Sequence, residues 1–307
     1  MYSWGHWRTL VPLLIGVFGL IAFIVYSVSY SQEPLIRKSL FNSPTAITAY
    51  FGTMIHGMLV WALLYYMPIY FEVAKEYTPI LSGVAIFPFT FTTAPAAVVV
   101  GLVITKTGRY RPSLWIGWFL TTFGMGLLIY LKAYTNTASW VSISLVAGSG
   151  MGILFSAQGF AAQASVSNAD LPFAGAMYSF FRAFGQTIGV AISGVIFQNT
   201  FKKKLLDTAY AVNADSWSKD ASALVGVVKA MSVVGEEGIL KAVLVRIYVD
   251  SLRTVWIVLC VLAGVAFLAS VVFTAEISLE RELETDQGFV FDNRKRRGSD
   301  EERVQGS

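Results

Sequence analysis

The chain has 307 residues, of which 55% are hydrophobic and 14% charged, with a formal net charge of +4. A soluble domain carries about 25% charged residues. Here the 23 Lys and Arg and 19 Asp and Glu side chains fall, with the exception of Arg182, outside seven long stretches. That placement excludes a soluble enzyme, a nucleic-acid-binding domain and a disulfide scaffold, the last also because Cys260 is the only cysteine.

The stretches are 9–32, 39–71, 77–105, 112–131, 133–169, 171–201 and 254–275. Each reaches the ~20 residues that a helix needs to cross the hydrocarbon core. Backbone groups in lipid must be satisfied within the segment, so such stretches become helices. The alternating segments of about ten residues that mark a transmembrane barrel are not seen. The expected architecture is all-α and integral to the membrane, with spans A (9–30), B (47–71), C (80–104), D (113–132), E (141–166), F (174–198) and G (253–275). Span A follows Trp4 and Trp7 and is too long for the core of a signal peptide, so no cleavable leader is expected.

Span B holds His56 at its middle and Pro68 near its end. As a group titrating near neutrality, His56 could carry or sense protons; equally, it could be a neutral packing residue. Pro88 and Pro95 lie in C, where each removes a helix hydrogen bond, so hinges are expected on B and C. D is bordered by Tyr110 and Trp115, and Tyr134 and Trp140 lie between D and E, as expected of rings at the headgroup level. E contains Gly148, Gly150 and Gly152, together with Gln158 and Gln163. F contains Arg182, Gln186, Gly189 and Ser193 along one face. A charge in a span costs about 2.5–3.5 kcal/mol and turns to the bundle interior or a watery cavity. Arg182 is therefore either a lock on helix packing or a pathway residue. Gly148 with Gly152 and Gly185 with Gly189 have the spacing that brings helix backbones close. No cluster has metal-ligand spacing and no nucleophile stands with a base, so no cofactor and no metal is expected. No carboxylate lies deep in a span; a proton-coupled mechanism would use His56 or a group elsewhere.

The F–G loop, 199–252, has apolar residues at helical spacing from Ile239 to Leu252, with Lys241 and Arg246 off the stripe, which predicts an amphipathic helix leading into G. The tail from Glu276 is charged and predicted to be disordered. The segments 31–44, 106–112, 167–172 and the tail carry eleven Lys and Arg, against three in the short segments opposite. The positive-inside rule then places the N-terminus outside and the C-terminus in the cytoplasm. The F–G loop, with six Lys and Arg246, dissents.

At the C–D loop the chain reads GLVITKTGRYR, Gly101 to Arg111. This resembles the cytoplasmic loop motif of the major facilitator superfamily: Gly101, Gly108 and Arg109 match, Lys106 keeps a basic position, and Arg111 supplies a third. The motif's acidic position is Thr105 here, which puts its helix-locking salt bridge in doubt. Tyr65–Phe71 with Ser82–Pro88, and Phe180–Gly194, resemble the C-terminal half of the fourteen-span drug:proton antiporters of fungi. The resemblance implies three segments. Residues 1–44 form an extra span and its connector, 45–275 a six-helix transporter half, and 276–307 a cytoplasmic tail. It also implies a rocker-switch exporter of small organic molecules, coupled to protons, in the plasma or the vacuolar membrane. His56, Gln158, Arg182 and Gln186 would line the substrate pathway, the Gly101–Arg111 loop would gate it, and Pro68, Pro88, Gly148, Gly152, Gly185 and Gly189 would serve packing or hinges. The partners expected are the bilayer, the substrate, protons, and a missing N-terminal half or a second copy. Such a chain is expected to be a truncated product or an incomplete gene model. A non-transporting fragment and a seven-span receptor are the alternatives; the receptor lacks a lysine in G, an extracellular disulfide and an Asn-Pro-x-x-Tyr end.

Overall fold

A computed structural model describes residues 6–30, 34, 36–219, 221, 224–277 and 279. The predicted disordered tail lies almost wholly outside them. Among the described residues the chain is helical and has no strand. Helix α1 is Trp7–Ser29, and a 3-10 turn at Lys38–Phe41 leads to α2, Pro44–Ala74. Then come α3 (Pro79–Ala85), α4 (Phe87–Thr107), α5 (Arg111–Leu128), α6 (Thr137–Ala164) and α7 (Leu171–Leu206). Two short helices, α8 (Ala214–Lys219) and α9 (Leu224–Ala230), precede α10, Gly235–Phe273.

Local chemistry sets these boundaries. The Ser43 hydroxyl accepts from the Thr45 amide ahead of Pro44, and Asn136 Oδ1 accepts from Ser139 N at 2.8 Å; both satisfy amides that a helix start leaves open. α4 stops at Gly108, whose φ of +67° is a left-handed cap that a side chain would disfavour. Span C is broken at Ile86, just before Pro88, which takes the first turn of α4, whereas α2 continues through Pro68.

Among the described residues, six helical segments are long and apolar enough to cross a membrane: α1, α2, α3 with α4, α6, α7 and α10. The span expected at D forms α5, which has 18 residues and opens on Arg111, with tryptophans and small polar residues lowering its apolarity. It extends about 27 Å, and further turns carry the chain to Leu131. α2 is the central helix, packed by α6, α7 and α10; α6 in turn packs α4 and α5. α1 stands apart, with large side chains such as Ile15 and Phe18 exposed.

Small residues draw these helices together. At Gly148 an added Cβ would strike Thr92 and the Phe89 carbonyl of α4, and at Gly152 the Thr93 carbonyl. At Gly185 and Gly189 it would strike Met54 and Met58 of α2. Hydroxyls bind across the same α4–α6 seam: Thr93 Oγ1 donates to Gly148 O at 3.2 Å and Ser156 Oγ to Ala97 O at 2.7 Å.

The connections gather at two ends, as the alternation of spans requires. At one end Tyr110 OH donates to Ala275 O at 2.7 Å, Ala275 N to Thr45 Oγ1 at 2.9 Å, and Arg37 pairs with Asp170 at 2.8 Å. At the other, Lys75 Nζ donates to Ala133 O at 2.8 Å and Tyr70 OH to Lys132 O at 2.9 Å. Burial of Lys75, just past the end of α2, lowers its pKa.

The F–G segment is folded onto that second end, and four of its seven basic residues have partners there. Lys202 pairs with Asp215 at 2.5 Å, Lys204 with Asp250 at 3.5 Å and Lys241 with Glu76 at 2.8 Å, while Lys229 donates to Tyr77 O. The predicted amphipathic helix runs unbroken into span G as α10. Lys241, expected off its buried stripe, is in fact buried at 7% exposure. Glu76, held at φ +56°, reaches over to neutralise it.

Candidate functional site

The residues that break the apolar pattern meet where α2, α6 and α7 converge. His56, on the central helix, is 1% exposed. Its Nε2 lies 2.9 Å from Met151 O of α6. A carbonyl can only accept, so Nε2 carries the proton and Nδ1 of the neutral ring is left as an acceptor. Arg182 Nη2, from α7, stands 3.5 Å from that Nδ1. A doubly protonated imidazole would turn an N–H toward the guanidinium, so the neutral ring is the form that fits.

Arg182 also donates through Nη2 to the Tyr178 hydroxyl, one turn back on α7. Its Cζ lies 3.7 Å from the centroid of the Phe155 ring and 4.7 Å from that of Tyr178. Tyr178 OH donates in turn to Phe155 O at 2.5 Å. Two donor chains therefore leave one guanidinium, one through His56 to Met151 O and one through Tyr178 to Phe155 O, and both end on successive turns of α6. No ion pair between Arg182 and a carboxylate occurs among the described residues. The cation is held by ring faces and neutral acceptors, and its Nε is buried without a partner.

Of the four expected pathway residues, His56 and Arg182 are brought together. Gln186 is half-buried one turn further on α7. Gln158 is fully buried and turned to a different part of the α2–α6 seam, its amide nitrogen 3.0 Å from where a Cβ on Gly52 would lie and near Trp118. Both polar atoms of its amide lack a partner. The stripe from Arg182 to Ser193 is the seam itself: Gly185, Gly189 and Ser193 are buried, the glycines against α2. Tyr178 and Phe155 were missed from the sequence. The i, i+4 spacing of Tyr178 and Arg182 on one helix was the available signal.

In the expected gating loop, Thr105 Oγ1 donates to Gly101 O of its own helix at 2.8 Å, so it makes no link to a neighbouring helix in place of the absent acid. The loop is tied instead to the end of α10 by buried Tyr110, and Arg109 Nε lies 3.4 Å from Glu276 in an exposed pair. Arg111 stacks at 4.5 Å on Trp115, and Lys106 is exposed in the last turn of α4.

The family model of the Major Facilitator Superfamily matches residues 1–194. Among fungal proteins, "MFS transporter L2" of a Phoma species is 49% identical over 94% of this chain and 48% of its own length. "Acurin A biosynthesis cluster MFS-type transporter" of Aspergillus aculeatus is 35% identical over 94% of this chain and 52% of its own. "Efflux pump FUS6" of Gibberella moniliformis is 32% identical over 94% and 51%. The chain thus spans about half the length of the curated relatives it matches. The match over most of the chain, on helices that join end to end as the loop motif requires, makes this integral membrane protein a member of the major facilitator superfamily.

Proposed function

We propose that this chain supplies a six-helix half, with one additional span, of a proton-coupled efflux carrier for small organic molecules. The carrying observation is the Arg182–His56–Tyr178 cluster, a cation kept between apolar helices without a carboxylate. A charge so placed is expensive in lipid and is retained where a pathway uses it. Efflux pumps among the relatives support the direction of transport, and coverage of about half their length supports a second half as partner. Large exposed residues on α4 and α7, among them Phe91, Val98 and Phe184, offer the surface for that half.

In this reading His56, Arg182 and Gln186 face the pathway, and Gln158 braces the seam behind them. Substrate or a proton arriving at His56 displaces the Arg182 donor and loosens the α2–α6–α7 junction, which is the differential binding that alternating access needs. Gly101, Lys106, Gly108, Arg109 and Arg111 form the cytoplasmic latch against the end of α10, with the C-terminus inside and the plasma membrane as the site of action. Pro68 and Pro88 act as hinges, and Gly148, Gly152, Gly185 and Gly189 as bearings.

The test is efflux of fluorescent organic dyes from cells making this chain together with the N-terminal half of a relative. Arg182→Ala should abolish efflux at unchanged abundance in the membrane; undiminished efflux refutes the pathway role. Purified alone into liposomes, the chain should give no flux above protein-free vesicles, and flux there overturns the need for a second half.

A further inference from the structure

The end of the bundle opposite the Gly101–Arg111 loop carries a cleft that the transport reading leaves unused. It measures about 940 Å³ and lies between the D–E turn and α10, lined by Lys132, Arg246 and Arg253 together with Glu76, Lys241 and Asp250. Both acids are already neutralised, Glu76 by Lys241 at 2.8 Å and Asp250 by Lys204 at 3.5 Å. Arg246 and Arg253 have no ion pair or hydrogen bond from their side chains among the described residues, and the Lys132 ammonium lies 5.9 Å from the Tyr134 ring. The cleft therefore presents three uncompensated positive charges. Arg246 and Arg253 are seven residues apart, two helical turns on one face of α10, about 10 Å.

Directly below runs an apolar groove of about 570 Å³ lined by Phe119, Phe123, Gly126 and Phe267, between α5 and α10. Cleft and groove share Ile129 and Tyr130. Tyr130 and Tyr134 are exposed there, at the depth where amphipathic rings mark the headgroup region. A cationic cleft at headgroup level, continuous with a greasy channel along the span, has the polarity profile of one amphiphile. Neither part touches the α2–α6–α7 cluster.

We propose that this cleft and groove form a binding site for an anionic glycerophospholipid. The phosphate sits between Lys132 and Arg253, the hydrogen-bonding end of the headgroup lies near Arg246, and an acyl chain lies along Phe119 and Phe123. The charge favours an anionic over a zwitterionic headgroup, and the groove favours a lipid over a free phosphate.

The test uses the full chain, extracted from nanodiscs of phosphatidylcholine with a minor share of phosphatidylglycerol, and native mass spectrometry to count retained lipid. Phosphatidylglycerol should be retained in preference to phosphatidylcholine. Arg246→Gln should weaken retention about fivefold, and the double variant with Arg253→Gln about thirtyfold, from the surface attraction of each basic residue. Lys38→Gln, at the opposite end and outside the gating loop, should leave lipid retention unchanged. Gly126→Leu fills the groove without touching a charge and should also release the lipid, which keeps the test decisive if the double variant misfolds. Equal retention of both lipids, or full retention by the arginine variants, overturns the site. Inorganic phosphate retained as well as the lipid overturns the lipid as its occupant.

Discussion

Removing the aromatic face beneath Arg182 tests how this cation is held. The Phe155 centroid lies 3.7 Å from the guanidinium carbon, and Tyr178 contributes a second face and its hydroxyl. A desolvated cation–π contact is worth about 2 kcal/mol, and a hydrogen bond to a charged group about 1.5–3 kcal/mol. Together they offset the ~2.5–3.5 kcal/mol cost of placing Arg in a span. Phe155→Leu keeps most of the apolar area but loses the quadrupole, so it should destabilise the chain by about 2 kcal/mol. In combination with Arg182→Met the two losses should not add. A double-mutant cycle should return a coupling of about 1.5–2 kcal/mol, measured by denaturant titration of the chain in nanodiscs with helical circular dichroism as the readout. A coupling below about 0.5 kcal/mol would show that the ring is filler and that the charge is stabilised in some other way.

Three further outcomes are expected. Gly185→Ala drives a methyl into the Met54 backbone and should cost about 1–3 kcal/mol in the same titration, whereas Gly101→Ala, whose nearest neighbour is Ser156 Oγ at 3.8 Å, should be neutral or slightly stabilising. Asp170→Asn weakens the tie to Arg37, so limited trypsin digestion should cut faster after Arg37 and Lys38, while the melting of the bundle changes by no more than about 1 kcal/mol because the Arg37 side chain is 30% exposed. Tyr110→Phe leaves the Ala275 carbonyl without its donor and should cost about 1 kcal/mol; no change in thermal stability would mean that the loop is not anchored through it.

The positions of the helices were legible in the sequence because an uncharged run longer than a bilayer is thick has one stable backbone arrangement. His56 and Arg182 stood out for the same reason, since polar groups in such runs are costly. Their convergence was not legible, because it depends on the crossing of α2 with α7. The glycine pair at 185 and 189 announced a close contact without naming its partner. Tyr178 went unnoticed because a tyrosine is at home in an apolar helix, and its role arises only when a guanidinium comes within reach. Lys241 was misplaced by a stripe drawn on its own helix, when the acid that buries it comes from the turn after α2. The limits of α5 were blurred by polar and aromatic residues that a bundle interior tolerates.

The central position of α2 has a consequence for how the chain is made. His56 leaves the ribosome 95 residues before Met151 and 126 before Arg182. At about 5–20 residues per second, its two partners follow after roughly 5–25 s. For that interval the two hydrogen-bonding partners of its imidazole do not yet exist. Timed photocrosslinking from position 56 should therefore find α2 beside the translocon until α7 emerges. α2 is thus synthesised before α6, α7 and α10, the helices that come to enclose it.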